Sequence, residues 1–458
     1  MSQSNGEVPG LIYKLAPMDE KMRKLNNVRK LWESIEIKSP RAIKCARDNI
    51  MTLKEYKAEL TSIFRSNTHR GFADWRQCGN LEREVEGFLA QVAKELLREY
   101  RDKELFDLVC TAYLKWGKTD KDDSNGETQD FIYYSAFEIW NQIYDREHPD
   151  IPHKKMMDWF LKKMDGSVID YMEDSLLEYM MDHFTEPELL DKKIVFLNGR
   201  IAEKEKLLEE KSWVIYDIQC CKEYILRIYG QQKRPIEEVR AYAKNLNRND
   251  SKELLAKIEL EYGNQDECIA IYKELADSVE RNWDREDYNG KLKDLYKQFG
   301  LQKEYASQVS KLLGMKIGNM EIWEEYKALI PEDGWKETAK KLFAAFDPGD
   351  CRPLTWYEAE GRYDLIMTGV EHGGAAYLER YEGELIQRYP DRCLAVLVKE
   401  ADYSAEHGNK RSDYRYIAKY LKWIRRYPGG AEKAAELAET YRKRYPRRSA
   451  MIDELRGI

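Results

Sequence analysis

The sequence has few features of strands, and it lacks the patterns of common metal and catalytic sites. Only 13 of its 458 residues are proline, and alternating runs of Val, Ile and Thr are nearly absent. No Cys-x-x-Cys, Cys-x-His or His-Glu-x-x-His pattern occurs among its eight cysteines and six histidines. No apolar run approaches the roughly 18 residues of a membrane span. We therefore expect a helical protein with no cofactor, no metal and no membrane association.

The scattered cysteines and the polar start of the chain predict a cellular location. Single cysteines at apolar helical positions are typical of buried thiols in a reducing compartment. Residues 1–10 contain no apolar core of the kind that a signal peptide needs. The sequence therefore predicts a cytoplasmic protein.

An aromatic–glycine pair recurs at intervals of 33 and 37 residues, at Tyr229-Gly230, Tyr262-Gly263 and Phe299-Gly300. Each pair follows one amphipathic stretch and precedes a polar turn and a second amphipathic stretch, as in repeats of the tetratricopeptide (TPR) kind. We expect Gly263, Gly300 and Gly314 to end helices in the left-handed conformation. Such hairpins bury their apolar faces only by stacking. The predicted fold is therefore all-α, an α-solenoid of TPR-like helical hairpin repeats.

The pattern divides the chain into four predicted regions. They are a disordered N-terminus (residues 1–10), basic N-terminal helices (11–50), helical hairpin repeats (51–314) and a C-terminal helical region with a basic end (315–458). The last boundary lies near Gly314–Met320, where the repeat pattern fades.

The densest acidic segment is a loop that holds Asp120, Asp122, Asp123 and Glu127. A calcium-binding loop with Gly126 at its sixth position would need ligands at Lys121 and Ile132, and neither side chain is one. The three-residue spacing of Ser124 and Glu127 instead predicts a capping box that opens the next helix. We therefore expect a turn here and no metal site.

The C-terminal part of the chain is strongly basic. Residues 410–448 hold thirteen Lys and Arg against four Asp and Glu. One group, the basic stripe, follows a single helical face: Arg411, Arg415, Lys419, Lys422 and Arg426. A second basic group comprises Arg442, Lys443, Arg444, Arg447 and Arg448. These ten residues are the candidate site for nucleic acid or another anion.

Aromatic residues run parallel to the basic stripe. Tyr416, Tyr420, Trp423 and Tyr427 are spaced by four, three and four residues, so we expect them to pack while the stripe faces outward. Two interpretations of the stripe stay open. It neutralises phosphates, or it is a solvated face that pairs with the acidic middle of the chain. The second is preferred, because charged faces are common on helical repeats.

Several segments resemble bacterial SWIM zinc finger family proteins. The closing segment from Tyr427-Pro-Gly-Gly430 to Leu455 is similar to theirs, and Asp122-Asp-Ser-Asn-Gly-Glu127 resembles their Asp-Asp-Ser-Asp-Gly-Glu signature. Ala359-Glu360-Gly361-Arg-Tyr363-Asp364 also fits, and the resemblance covers residues 45–458. The family's Cys-x-Cys…Cys-x-His zinc module does not occur in this sequence. The resemblance therefore implies the helical accessory region alone, without zinc or zinc-dependent DNA binding.

These observations predict a non-enzymatic helical-repeat scaffold or adaptor that binds other proteins. The first alternative is a nucleic-acid-binding accessory protein that uses its basic C-terminal and N-terminal helices, since residues 21–47 carry nine basic and two acidic side chains. The second alternative is an enzyme whose dispersed site is not visible in the sequence. No catalytic residue and no small-molecule substrate is indicated.

Overall fold

The computed structural model describes residues 51–166 and 168–458, which form two compact units divided between Phe196 and Leu197. The predicted disordered N-terminus and basic N-terminal helices lie outside the described residues. Nearly all regular structure in the described part is α-helical, which confirms the all-α prediction. None of the described helices combines the length and the apolar character that crossing a lipid bilayer requires.

The first unit consists of helices and one short parallel strand pair. Strand β1 (Phe72–Ala73) pairs with β2 (Asp120–Lys121). A π-helical segment (Phe131–Phe137) joins α4 to α5. The helices are α1 (Leu53–Ser66), α2 (Trp75–Arg98), α3 (Asp102–Lys118), α4 (Glu127–Asp130), α5 (Glu138–Tyr144), α6 (His153–Lys163), α7 (Asp170–Asp182) and α8 (Pro187–Glu205), the last of which spans the division.

Helix α2 shows how the sequence specifies these elements. Its N-cap Asp74 accepts hydrogen bonds from the backbone N–H groups of Arg76 and Gln77, each at 2.9 Å, and Gln77 completes a capping box. Apolar side chains at steps of three and four then form a fully buried face. They are Leu81, Val85, Leu89, Val92 and Leu96.

In the second unit most helices pack against the next helix in the chain. They are α9 (Val214–Gln231), α10 (Ile236–Ala243), α11 (Asn249–Glu261), α12 (Gln265–Ser278), α13 (Asn282–Gln298), α14 (Gln302–Met315), α15 (Met320–Ala328), α16 (Glu332–Ala344), α17 (Leu354–Ala359), α18 (Tyr363–Gly373), α19 (Ala375–Arg388), α20 (Pro390–His407), α21 (Arg411–Ile424), α22 (Gly430–Arg444) and α23 (Ser449–Glu454). Helix α9 also contacts α11, and α18 contacts α20, as stacked hairpins do. The predicted solenoid-like arrangement is confirmed.

At two of the three predicted positions, the helix that marks the repeat ends with a glycine in the left-handed backbone conformation. Gly263 and Gly300 have φ values of +83° and +69°. After each, the chain closes a six-to-one hydrogen bond to the helix, as from the N–H of Asn264 to the carbonyl of Glu259 at 2.9 Å. The prediction for Gly314 is wrong, because α14 continues through it to Met315.

Gly230 has a packing role instead of ending its helix. It lies inside α9, where a Cβ atom would stand 3.0 Å from Ile258, so glycine allows α9 and α11 to approach closely. The left-handed residue after α9 is Lys233, with φ of +51°.

The boundary predicted near residues 314–320 falls within the second unit, where α14 packs on α15. A continuous core extends from Leu312 to Leu455 and includes Trp323, which stacks on Trp356 at 4.9 Å. The predicted change in repeat character at this point stays a prediction.

Candidate functional site

Helix α21 holds four residues of the basic stripe on its solvent-facing side, and Arg426 follows in the turn after it. Its buried side carries Tyr414, Ile417, Leu421 and Ile424, and it packs against α20, α22 and α23. The carboxylate of Asp413 accepts the backbone N–H groups of Asn409 and Lys410, each at 3.0 Å, and so fixes the start of the helix. The strong amphipathic pattern thus places the stripe where the sequence predicted it.

An open groove of about 420 Å³ lies along the stripe, between α19, α21 and α23. Its walls combine both signs of charge around one aromatic ring. The lining residues are Glu379, Glu382, Arg415, Ala418, Lys419, Lys422, Trp423, Arg426 and Glu454.

Three cations of the stripe pair with nearby acids. Arg411 forms 2.6 Å ion pairs with Asp453 and Glu454, and Arg415 lies 3.6 Å from Glu454. Lys419 lies 3.6 Å from a carboxylate oxygen of Glu379. These acids belong to α19 and α23, so the stripe pairs with its own neighbours rather than with the acidic middle of the chain.

Two cations of the stripe differ from the other three. Lys422 and Arg426 are exposed and line the groove. Among residues 51–166 and 168–458, neither side chain has an ion-pair or hydrogen-bond partner. Their charge is therefore available to a ligand.

Most side chains of the second basic group contact other residues of the same chain. Arg442 donates to the carbonyl of Leu455 at 2.5 Å, and Arg448 donates to the carbonyl of Ala405 at 2.6 Å. Lys443 lies 3.4 Å from Glu439 and Arg444 lies 3.9 Å from Glu406. The two carbonyl contacts lie at the ends of α23 and α20, and hydrogen bonds from basic side chains to the last carbonyls of a helix are common.

Within the second basic group, Arg447 is the exception. Neither an ion pair nor a hydrogen bond engages its side chain in the part of the chain that the structure describes.

The aromatic row beside the stripe packs only in part as predicted. Trp423 and Tyr427 are buried, with 5% and 4% exposure, and Tyr420 is half-buried. The prediction for Tyr416 is wrong, since 57% of it is exposed. The core-facing side of α21 is centred on Ile417 and Leu421, so Tyr416 falls outside it.

Glu382 holds the two buried aromatics in place. Its Oε1 accepts hydrogen bonds from the indole N–H of Trp423 at 2.5 Å and from the hydroxyl of Tyr427 at 2.9 Å. Burial, followed by this bond, raises the pKa of Tyr427. The hydroxyl therefore stays protonated, and the floor of the groove is fixed.

The acidic loop lies beside Cys78, which is distant from it in the sequence. The pairing of β1 with β2 brings the start of α2 to this loop, and Asp122 donates its N–H to the carbonyl of Ala73 at 2.9 Å. Ligand atoms of Cys78, Asp123 and Glu127 consequently all lie within 4.8 Å of one another. No local sequence signal links a cysteine in α2 to a loop after α3.

The predicted capping box in this loop is wrong. The helix begins at Glu127, after Gly126 with φ of +87°, and Ser124 is not its cap. The carboxylate of Asp123 accepts the backbone N–H of Thr128 at 2.8 Å instead. Asp123, rather than Ser124, thus accepts a backbone N–H group at the start of this helix.

The chain matches no protein-family model, and a search of curated proteins returns no significant match. The resemblance to SWIM zinc finger family proteins stays a prediction. Function must therefore be inferred from the fold and from the groove at α21.

Proposed function

We propose that this chain is a non-enzymatic, cytoplasmic helical-repeat scaffold that binds another protein in the groove between α19, α21 and α23. The observation that carries the proposal is the mixed lining of the groove. Lys422 and Arg426, two cations without a partner in the described part of the chain, lie beside the carboxylates of Glu379, Glu382 and Glu454.

The mixed lining favours a protein partner over nucleic acid. A phosphate backbone gains affinity from a run of unpaired cations, since each neutralised phosphate releases a counterion. Here Arg411, Arg415 and Lys419 are already paired with acids, so the stripe offers no run of unpaired cations. Proteins present both signs of charge, and complementary patterns of charge give such interfaces their specificity.

The preferred occupant is a protein segment with acidic side chains that flank an apolar one. The acids would pair with Lys422 and Arg426 through charge-assisted hydrogen bonds. The apolar side chain would contact the small exposed part of Trp423, which lines the groove. The walls are helices, so little ordering is needed on this side of the interface.

A comparative pull-down from a bacterial lysate tests the proposal. The baits are the wild-type chain, the Lys422→Glu/Arg426→Glu variant and a control, Lys341→Glu, which reverses an exposed lysine outside the groove. Nuclease treatment of each sample separates protein partners from those held through nucleic acid.

We expect a protein that survives nuclease, is lost with the double variant and is retained by the control. Partners that nuclease releases from the wild type would favour the nucleic-acid alternative. Partners that bind all three baits equally would show that the groove is not the site.

A further inference from the structure

A second cluster of side chains lies in the first unit and plays no part in the groove. Cys78, at 0% exposure, extends from α2 towards the acidic loop. One ligand atom from each of Cys78, Asp123 and Glu127 lies within 4.8 Å of the other two. A thiol and two carboxylates are a donor set that divalent metals use.

A second observation, the buried carboxylate of Glu127, also indicates a ligand. It is only 6% exposed, and its Oε2 is buried with no hydrogen-bond partner among the described residues. A buried carboxylate oxygen without a partner is costly, because the charge loses its hydration and gains nothing in return. A bound cation would satisfy this oxygen.

The loop holds the other oxygen of each carboxylate. Asn125 donates its side-chain N–H to Oε1 of Glu127 at 3.0 Å, and Thr128 donates its backbone N–H to Oδ1 of Asp123 at 2.8 Å. Contacts of this kind orient metal ligands in proteins. They leave Oδ2 of Asp123 and Oε2 of Glu127 for a ligand.

The charges around the cluster are predominantly negative, which favours a cation. The ammonium of Lys121 interacts with Asp123 and Cys78, while it donates to the carbonyl oxygens of Trp116 and Thr119 at 2.8 and 3.2 Å. Asp120 and Asp122 also lie close enough to act on these groups. With Cys78 as a thiolate, the five anions and this one cation carry a net charge of about −4. A divalent metal reduces this negative charge.

We propose that Cys78, Asp123 and Glu127 bind one divalent cation of the zinc class. A sulfur ligand beside two carboxylates selects a borderline metal such as Zn²⁺ over the oxygen-preferring Mg²⁺ and Ca²⁺. On binding, the metal–sulfur bond replaces the S–H bond of Cys78, and the proton leaves to solvent.

The observed spacing is compatible with this site. Tetrahedral zinc would hold its sulfur and oxygen ligands about 3.6 Å apart, against the observed limit of 4.8 Å. A water molecule would complete the coordination. The site uses none of the Cys-x-Cys…Cys-x-His pattern, and the sequence alone predicted no metal here.

Metal titration of the untagged full chain, stripped with chelator, tests the proposal. Zn²⁺ is quantified by elemental analysis after desalting, and Co²⁺ by its absorption, since a cobalt–thiolate bond adds a charge-transfer band in the near ultraviolet. The variants are Cys78→Ser and Glu127→Gln. The control is Cys110→Ala, which removes another buried thiol of the same unit.

We expect one metal per wild-type chain, the thiolate band with Co²⁺, and a rise in Tm with Zn²⁺ by mass action. The control should keep all three properties. Cys78→Ser should lose the band, and Glu127→Gln should weaken binding by more than about tenfold, the lower loss seen when even an outer contact is removed.

Two results would overturn the site. The first is that the wild type takes up no stoichiometric metal, in which case Lys121 alone is the counter-ion. The second is that metal binding persists in both variants, in which case the metal site lies elsewhere. If Cys78→Ser does not fold, the nearly isosteric Glu127→Gln variant and the wild-type cobalt spectrum decide the question.

Discussion

The indole N–H of Trp423 donates to a carboxylate oxygen of Glu382 and so ties α21 to α19 beneath the groove. The hydroxyl of Tyr427 uses the same oxygen, at 2.9 Å. Glu382, one acid of the groove, therefore holds α19 and α21 together. The cations of the groove lie beside these fixed side chains. This relationship connects the stability of the C-terminal helices with the shape of the proposed binding surface.

Replacing Trp423 by alanine should cost about 3–5 kcal/mol of unfolding free energy, because a large buried ring and its hydrogen bond are lost together. Denaturant unfolding of the full chain measures this cost. The control is Tyr416→Ala on the same helix, which should change stability by less than about 0.5 kcal/mol. A similarly small effect of Trp423→Ala would place the ring outside the core.

The pair of Arg240 and Glu259, in which the carboxylate is buried and the guanidinium half-buried, should be more important than an exposed pair. Glu259 is 1% exposed and receives two hydrogen bonds from Arg240, at 2.6 and 2.9 Å. Among the described residues, Arg240→Ala leaves this carboxylate with Asn264 as its one hydrogen-bond donor, and it should cost about 3 kcal/mol. Lys341→Ala, which breaks an exposed 3.7 Å pair with Glu337, should cost less than about 0.5 kcal/mol. Equal costs in denaturant unfolding would contradict the assignment.

Stability should fall in mildly acidic solution because of His183. Burial lowers the pKa of this histidine from its ordinary value of 6.5. The unfolded chain therefore binds the proton more readily, and the unfolding free energy should fall as the pH falls from 6.5 towards the lowered pKa. His183→Gln should flatten that part of the pH profile of Tm, whereas His407→Gln, at an exposed position, should not. Identical profiles for the wild type and His183→Gln would contradict this prediction.

Binding to duplex DNA should be weak and nearly insensitive to the groove. If Lys422 and Arg426 each neutralised a phosphate, their replacement by glutamine would reduce the logarithmic salt slope by about 0.9 per contact. We expect no such change, because the neighbouring carboxylates oppose phosphate binding. Fluorescence anisotropy across a salt series measures the slope. Submicromolar affinity at physiological salt that the double variant abolishes would favour the nucleic-acid alternative.

The sequence predicted the helical architecture well because its signals are local. Gly263 and Gly300 end helices where the backbone needs positive φ, and apolar residues at steps of three and four mark the buried faces. Lys233 adopts the same conformation although its residue type gives no sign of a helix end. Gly230 shows the converse, a glycine retained for close helix contact rather than for a turn.

The candidate sites were only half predictable, because charge pairing depends on contacts between distant residues. The spacing of the stripe placed its cations on one face. Which cations are neutralised is decided by acids such as Glu454, which lies 43 residues from Arg411. The approach of Cys78 to Asp123 depends in the same way on the pairing of β1 with β2. Neither relationship leaves a local pattern.

Photo-crosslinking from within the groove tests the central claim most directly. A photoreactive amino acid replaces Lys419, which lines the groove, while Lys422 and Arg426 are kept; a matched control places it at Tyr403, which is 62% exposed on α20. We predict a discrete protein adduct from position 419 that is absent from position 403 and is lost when Lys422→Glu and Arg426→Glu are added. Adducts with nucleic acid, or the same adducts from both positions, would contradict the claim that this groove binds a protein.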